Sequence, residues 1–131
     1  SCGKGTENSA IDYKQEMRQF VQHISAFARN QHPGFVVIPQ NGVELVSLTG
    51  DETGKADTTY LAAIDGLGQE DLFYGYTNDN KATSSDVSNY LVHFLDLAKN
   101  TSKVQIMVTD YCSDYAKMDD AFNKNHQKDY L

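Results

Sequence analysis

The sequence predicts an α/β fold organised around a parallel sheet, on three observations. Stretches of helical periodicity alternate with short apolar runs, the pattern of strands joined by crossover helices. The run at residues 35–38 has no polar/apolar alternation, as expected of a strand covered on both faces, and residues 61–64 and 104–109 are further short apolar runs. Each run ends in polar groups: Gln40-Asn41-Gly42, Asp65 through Asp71, and Asp110-Tyr111-Cys112. The carboxyl ends of parallel strands are where α/β proteins place their chemistry.

The elements follow in order. Residues 1–12 carry Gly, Ser, Asn and Thr without periodicity and read as a flexible N-terminal tether. Residues 13–131 read as one domain. Met17, Phe20, Val21, Ile24, Phe27 and Ala28 recur in steps of three and four, which predicts a first helix. His32-Pro33-Gly34 ends it, because proline lacks the donor and glycine permits a reversed backbone. Residues 35–38 form the first predicted strand. A polar loop at 49–58 leads to residues 60–64, a second short strand or strand-like turn. Another polar loop spans 75–85, where Ser84 or Ser85 can cap a helix. That helix has an apolar face of Val87, Tyr90, Leu91, Phe94, Leu95 and Ala98. Residues 104–109 make the third strand. A last helix runs from about Tyr115 to Lys128 and is polar outside Met118, Ala121 and Phe122. No internal repeat is evident.

Composition narrows the function. A chain of 131 residues suits one core. Its net charge of −7 argues against nucleic acid as a partner, which would need a basic stripe. No segment approaches the roughly 18 apolar residues of a membrane helix. Ser1-Cys2-Gly3-Lys4-Gly5 reads as the start of a bacterial lipoprotein after removal of its signal peptide, with Cys2 as lipid anchor and a cell-envelope or extracellular location. The alternative is an ordinary start with an unremarkable cysteine. Cys2 and Cys112 permit a disulfide, but their spacing does not favour one, and two distant cysteines are no metal signature. His23, His32, His93 and His126 are scattered without ligand spacing. They read as structural or surface groups.

Three clusters could carry chemistry. Gln40 and Asn41 offer amides that bind sugar hydroxyls or hold a carboxylate, although Asn-Gly is equally a common turn. Asp65, Gln69, Glu70, Asp71 and Tyr74 fall within ten residues, interleaved with Gly66 and Gly68. A carboxylate desolvated there by Leu72, Phe73 and Tyr74 would have a raised pKa suited to a general acid; a solvated acidic loop is the competing reading. Asp110 directly follows an apolar strand, where a charge needs a partner or a purpose. Asp114 suits a helix cap. Cys112 has no evident base, so a cysteine nucleophile is disfavoured.

Residues 37–45 (Val-Ile-Pro-Gln-Asn-Gly-Val-Glu-Leu), 63–74 (Ala-Ile-Asp-Gly-Leu-Gly-Gln-Glu-Asp-Leu-Phe-Tyr) and 108–112 (Val-Thr-Asp-Tyr-Cys) together resemble the endo-α-1,4-polygalactosaminidase-like glycoside hydrolases. Order and spacing of the three motifs fit over roughly residues 15–131. The resemblance implies part of a TIM-type (β/α)8 barrel acting on an extracellular polysaccharide, with galactosamine-containing chains as one candidate. It places the general acid/base on Glu70 and implies neither a metal nor an organic cofactor. Asp65 and Asp110 join it as candidate catalytic residues, with Gln40, Asn41, Gln69, Tyr74 and Tyr111 as substrate-binding residues.

A complete barrel takes eight strands and about 250 residues. Three or four strands are present here, about half, and the family segment whose strand ends in the nucleophilic aspartate has no counterpart. The nucleophile is therefore expected outside this chain. If Ser1-Cys2 is a lipoprotein start, the other half would follow Leu131, giving a circularly permuted barrel. The competing expectations are a carbohydrate-binding module without catalysis, a fragment without activity that oligomerises to cover its edges, and a small flavodoxin-like domain.

Overall fold

A computed structural model describes residues 10–131. Cys2, with its lipid-anchor and disulfide readings, and most of the predicted tether lie outside the described residues. The elements are α1 (Tyr13–Gln31), a 3-10 turn (Val43–Val46), α2 (Thr58–Ala62), β1 (Gly66–Glu70), α3 (Ser85–Thr101), β2 (Gln105–Thr109) and α4 (Tyr115–Gln127). The architecture is mixed α/β, with a two-stranded parallel sheet and four α-helices among the described residues.

Helix α1 begins where the Asp12 carboxylate accepts the Gln15 N–H at 3.0 Å, and ends before Gly34, whose φ of +89° suits glycine. Its inward face is polar. Arg18, only 1% exposed, donates Nε to the Leu45 carbonyl at 2.7 Å, another N–H to the Ser47 carbonyl, and lies 3.6 Å from Asp57. Ser25, two turns further along the same face, is buried as well. Of the apolar residues that predicted the helix, Val21 and Ala28 are half-buried, whereas Met17, Phe20, Ile24 and Phe27 are exposed. The periodicity marked a true helix, and most of its apolar stripe faces away from this core.

The second strand lies later than the sequence predicts. Residues 58–62 form α2 because Asp57 caps it, its carboxylate accepting the Tyr60 N–H at 3.0 Å. A short apolar run alone does not separate a helical turn from a strand. The strand is Gly66–Glu70, whose glycines weigh against it on propensity but are required by close packing. A Cβ on Gly68 would sit 2.1 Å from Gln40 Oε1, and one on Gly66 would sit 2.9 Å from the Gln105 carbonyl.

β1 and β2 pair in parallel, with Leu67 opposite Ile106 and Glu70 opposite Thr109. The predicted first strand is an extended segment alongside β1. Asp65 N–H donates to the Val37 carbonyl, Gly68 N–H to the Pro39 carbonyl and Asn41 N–H to the Gly68 carbonyl, at 2.7–2.8 Å. On the outer side of β2, the Leu131 N–H donates to the Ile106 carbonyl at 2.9 Å and the Leu131 carbonyl accepts from the Val108 N–H at 2.7 Å. That pattern is a parallel bridge. Three parallel segments therefore lie side by side in chain order, residues 37–41, β1 and β2, with Leu131 bonded to the outer side of β2 and without the reversal of a doubly wound sheet.

One face of this sheet is covered. Leu67 and Ile106 pack with Phe94, Leu95 and Ala98 of α3 and with Val46, Tyr60 and Ile64. On the other face, Val36 is 60% and Ile38 is 40% exposed, with Ile38 lying over Gly66. On α4, Tyr115 and Phe122 are exposed as well.

Candidate functional site

The carboxyl ends of three neighbouring parallel segments converge on Glu70. Asn41, at the end of the edge segment, adopts a φ of +59°, which asparagine tolerates better than most residues. Its Oδ1 accepts the Glu70 N–H at 3.1 Å and a Gln69 amide N–H at 3.3 Å. Its Nδ2 donates to Glu70 Oε2 at 3.0 Å. From beyond the end of β2, the Tyr111 hydroxyl donates to Glu70 Oε1 at 2.6 Å. Each carboxylate oxygen thus has a donor from a different strand end. The Tyr111 hydroxyl foremost, then the Asn41 amide, with a smaller contribution from Gln40, hold the Glu70 carboxyl below its ordinary range. This is opposite in direction to the raised pKa expected from desolvation by Leu72, Phe73 and Tyr74.

The raised carboxyl is its neighbour, Asp71. Burial pushes Asp71 up, aided by the charges of Glu70, Asp110 and Asp79. Its backbone has a φ of +57°, an uncommon conformation for a non-glycine residue. Its Oδ1 is buried without a hydrogen-bond partner. Gly75, at φ +115°, makes room for it: a Cβ there would lie 2.5 Å from Asp71 Oδ1 and 3.0 Å from Tyr111 Cβ. Sequence reasoning placed Asp71 in the cluster without a role; the glycine four residues later was the available signal.

Other candidates are positioned differently. Asp110 receives the Phe73 and Tyr74 N–H groups at 2.7 and 3.0 Å and the Asn125 amide at 2.9 Å, so it fastens the turn after β1. Tyr74 is buried and donates its hydroxyl to Asp120 at 2.8 Å, toward α4. Gln69 is buried, its amide donating to the Glu70 carbonyl at 2.7 Å. Asp65 precedes β1 at the opposite end from Glu70, where it accepts Val37 N–H at 2.7 Å and Arg29 Nη2 at 3.0 Å. The Val37 N–H foremost, then Arg29, hold its carboxyl below the ordinary range against a partial desolvation. The structure therefore brings Gln40, Asn41, Gln69, Glu70, Asp110 and Tyr111 to one end of the sheet and leaves Asp65 apart. Asp114 caps α4 through the Ala116 N–H at 3.0 Å. The Cys112 thiol is pushed up, by burial first and then by Asp110, which disfavours the reactive thiolate. Among the described residues no three His, Cys, Asp or Glu side chains are grouped to hold a metal ion.

Beside Glu70 lies a concavity of about 220 Å³ lined by Asn41, Glu44, Gln69, Glu70, Asp71 and Tyr76, among others. Glu44 and Tyr76 were not among the residues singled out from sequence. A carboxylate held ionised, an amide, a phenol and an exposed aromatic ring form a surface able to bind hydroxyl-rich ligands, or to bear a developing positive charge.

No family model matches the chain. It is similar to an uncharacterized protein of Deinococcus radiodurans, 38% identical over 60 residues. The match covers 46% of this chain and 17% of that protein's length.

Proposed function

We propose that this chain is one arc, about half, of a (β/α)8-type barrel, and that it contributes Glu70 to the cleft of a glycoside hydrolase acting on an extracellular polysaccharide. The observation that carries this reading is the Glu70 carboxylate gripped by Asn41 and Tyr111 from the adjacent strand ends. The strand order supports the barrel, because three parallel segments in chain order, covered by helices on one face, match an arc of a singly wound (β/α) sheet. The exposed α1 stripe and sheet face are then surfaces that the remaining units would cover.

Held as a carboxylate, Glu70 suits the base half of an acid/base cycle, or stabilisation of an oxocarbenium-like transition state. Acting as a general acid would require the substrate to displace its donors first. The nucleophile of a retaining mechanism would come from outside this chain. Reducing-end release from α-linked hexosamine polymers, measured on the complete gene product, tests the reading. Glu70→Gln should lower turnover at least about 100-fold; unchanged hydrolysis rejects the role.

A second reading is a carbohydrate-binding module without catalysis. Its support is that neither of the other two carboxylates singled out from sequence as catalytic, Asp65 and Asp110, is free to face Glu70 across a substrate. Asp110 is occupied by its three donors and Asp65 lies at the other end of the strand. Oligosaccharide binding without turnover by the complete protein would favour it.

A further inference from the structure

We infer that the cleft continues past Glu70 into a second glycosyl-binding position whose platform is the ring of Tyr76, and that this position takes neutral or cationic sugar chains and rejects anionic ones. The inference rests on the glycan-binding reading above.

The continuity of the cleft comes first. The concavity beside Glu70 adjoins another of about 400 Å³, lined by Glu44, Tyr76, Asp86, Val87, Tyr90 and Leu91. Glu44, Tyr76 and Leu91 belong to both. Together the two make a trough from the strand ends to the first turns of α3, longer than the immediate surroundings of one carboxylate. A ligand filling it would extend beyond the sugar touching Glu70.

Tyr76 is placed to be read by such a ligand. Its side chain is 57% exposed. The loop that carries it is fastened on both sides. Gly75 N–H donates to the Lys81 carbonyl at 3.0 Å, Thr83 N–H to the Phe73 carbonyl at 2.8 Å, and Asn80 N–H to the Tyr111 carbonyl at 2.9 Å. The Asn80 Oδ1 then takes the Ser113 and Asp114 N–H groups at 2.6 and 3.1 Å. The ring is thus presented from a loop tied to the same Tyr111 segment that grips Glu70, which limits the ordering cost of binding. A tyrosine ring offers an apolar face to the C–H face of a pyranose and a hydroxyl to its rim. Leu91 and Val87 extend the apolar floor. Glu44, whose carboxylate lies 3.4 Å from the Tyr90 hydroxyl, supplies acceptors for sugar hydroxyls or an ammonium group.

Charge sets the selectivity. Glu44, Glu70, Asp71 and Asp86 line the trough, and no Lys, Arg or His is among the described residues lining it. A uronate or sulfated chain would bring anions against carboxylates with no cation to offset them, and like-charge juxtaposition of this kind opposes binding strongly.

The test is titration calorimetry of the complete gene product with pentasaccharides of chitin (neutral), chitosan (cationic) and polygalacturonate (anionic), and with the disaccharide of whichever binds. The chitin or chitosan pentamer should bind at least about tenfold more tightly than the galacturonate. Tyr76→Ala should weaken pentamer binding about tenfold and disaccharide binding by a smaller factor, and Tyr76→Phe should retain both. Equal pentamer affinity in Tyr76→Ala and wild type overturns the platform while leaving the glycan reading intact. Preferred binding of the galacturonate overturns the charge selectivity. Binding of none of the three overturns the glycan reading, and this inference with it. Circular dichroism of each variant confirms that the loss is not one of folding.

Discussion

Replacing Asp110 by alanine separates a structural aspartate from a catalytic one. Its carboxylate receives two backbone N–H groups and the Asn125 amide, all partly shielded from water. A hydrogen bond to a charged group contributes about 1.5–3 kcal/mol, and donors left buried without a partner cost more than bonds never made. Three such bonds set a ceiling, and water entering at the partly exposed side of the turn recovers some of it. The expected loss is therefore about 2–4 kcal/mol. Asp110→Asn retains one oxygen for the Phe73 and Tyr74 N–H groups, since a single carboxylate oxygen accepts both, but turns an amide toward Asn125. It should lose about half as much. Urea unfolding followed by circular dichroism measures both, with the midpoint shift at constant slope reporting stability. A loss below about 0.5 kcal/mol in Asp110→Ala, the scale of an inconsequential surface change, would refute the structural assignment.

Four further outcomes are expected. Tyr111→Phe and Asn41→Ala should each raise the Glu70 pKa toward the ordinary value of about 4.3, seen by carbon-13 NMR of the carboxylate. Because the folded pKa is depressed, these bonds stabilise the fold above that value, and the contribution fades as pH falls through the lowered one; the wild-type advantage over either variant should shrink on acidification. Asp71 has the opposite sign: its charged form is disfavoured in the fold, so Asp71→Asn should gain thermal stability at neutral pH and lose that gain below about pH 4. Arg18→Met leaves Asp57 buried without its partner and should cost about 3–5 kcal/mol in urea unfolding. Phe20→Lys with Phe27→Lys should change stability by less than about 0.5 kcal/mol while reducing self-association in sedimentation velocity, because both rings already face away from the core.

Much of this architecture is legible because helical periodicity survives tertiary context. The three long helices fall where their apolar spacing puts them, and α3 buries Phe94, Leu95 and Ala98 as its stripe requires. Periodicity does not say what covers a stripe. The α1 pattern is as regular as that of α3, yet its buried face is held by an arginine and a serine. The β1 strand was missed for a different reason. Its two glycines look like turn residues, and only the closeness of Gln40 and the Gln105 carbonyl explains their use in a strand. The site was legible as a set of strand ends, since Asn41, Glu70 and Tyr111 do meet. Its electrostatics were not, because the direction of the Glu70 shift depends on two donors from distant segments. Nor could spacing reveal that Asp65 and Glu70, five residues apart, sit at opposite ends of the same strand.

The side-by-side order of the three parallel segments also bears on how the chain acquires its structure. Each segment pairs with the one made just before it, so a unit emerging during synthesis finds its sheet partner already in place. The pairings span a few tens of residues rather than the whole chain, which keeps loop-closure entropy modest and favours fast formation. A doubly wound sheet must instead leave its first strand waiting for later ones on both sides. In this chain, the segment at residues 36–41 and β1 could form a seed onto which β2 adds, each addition extending the sheet at its newest end.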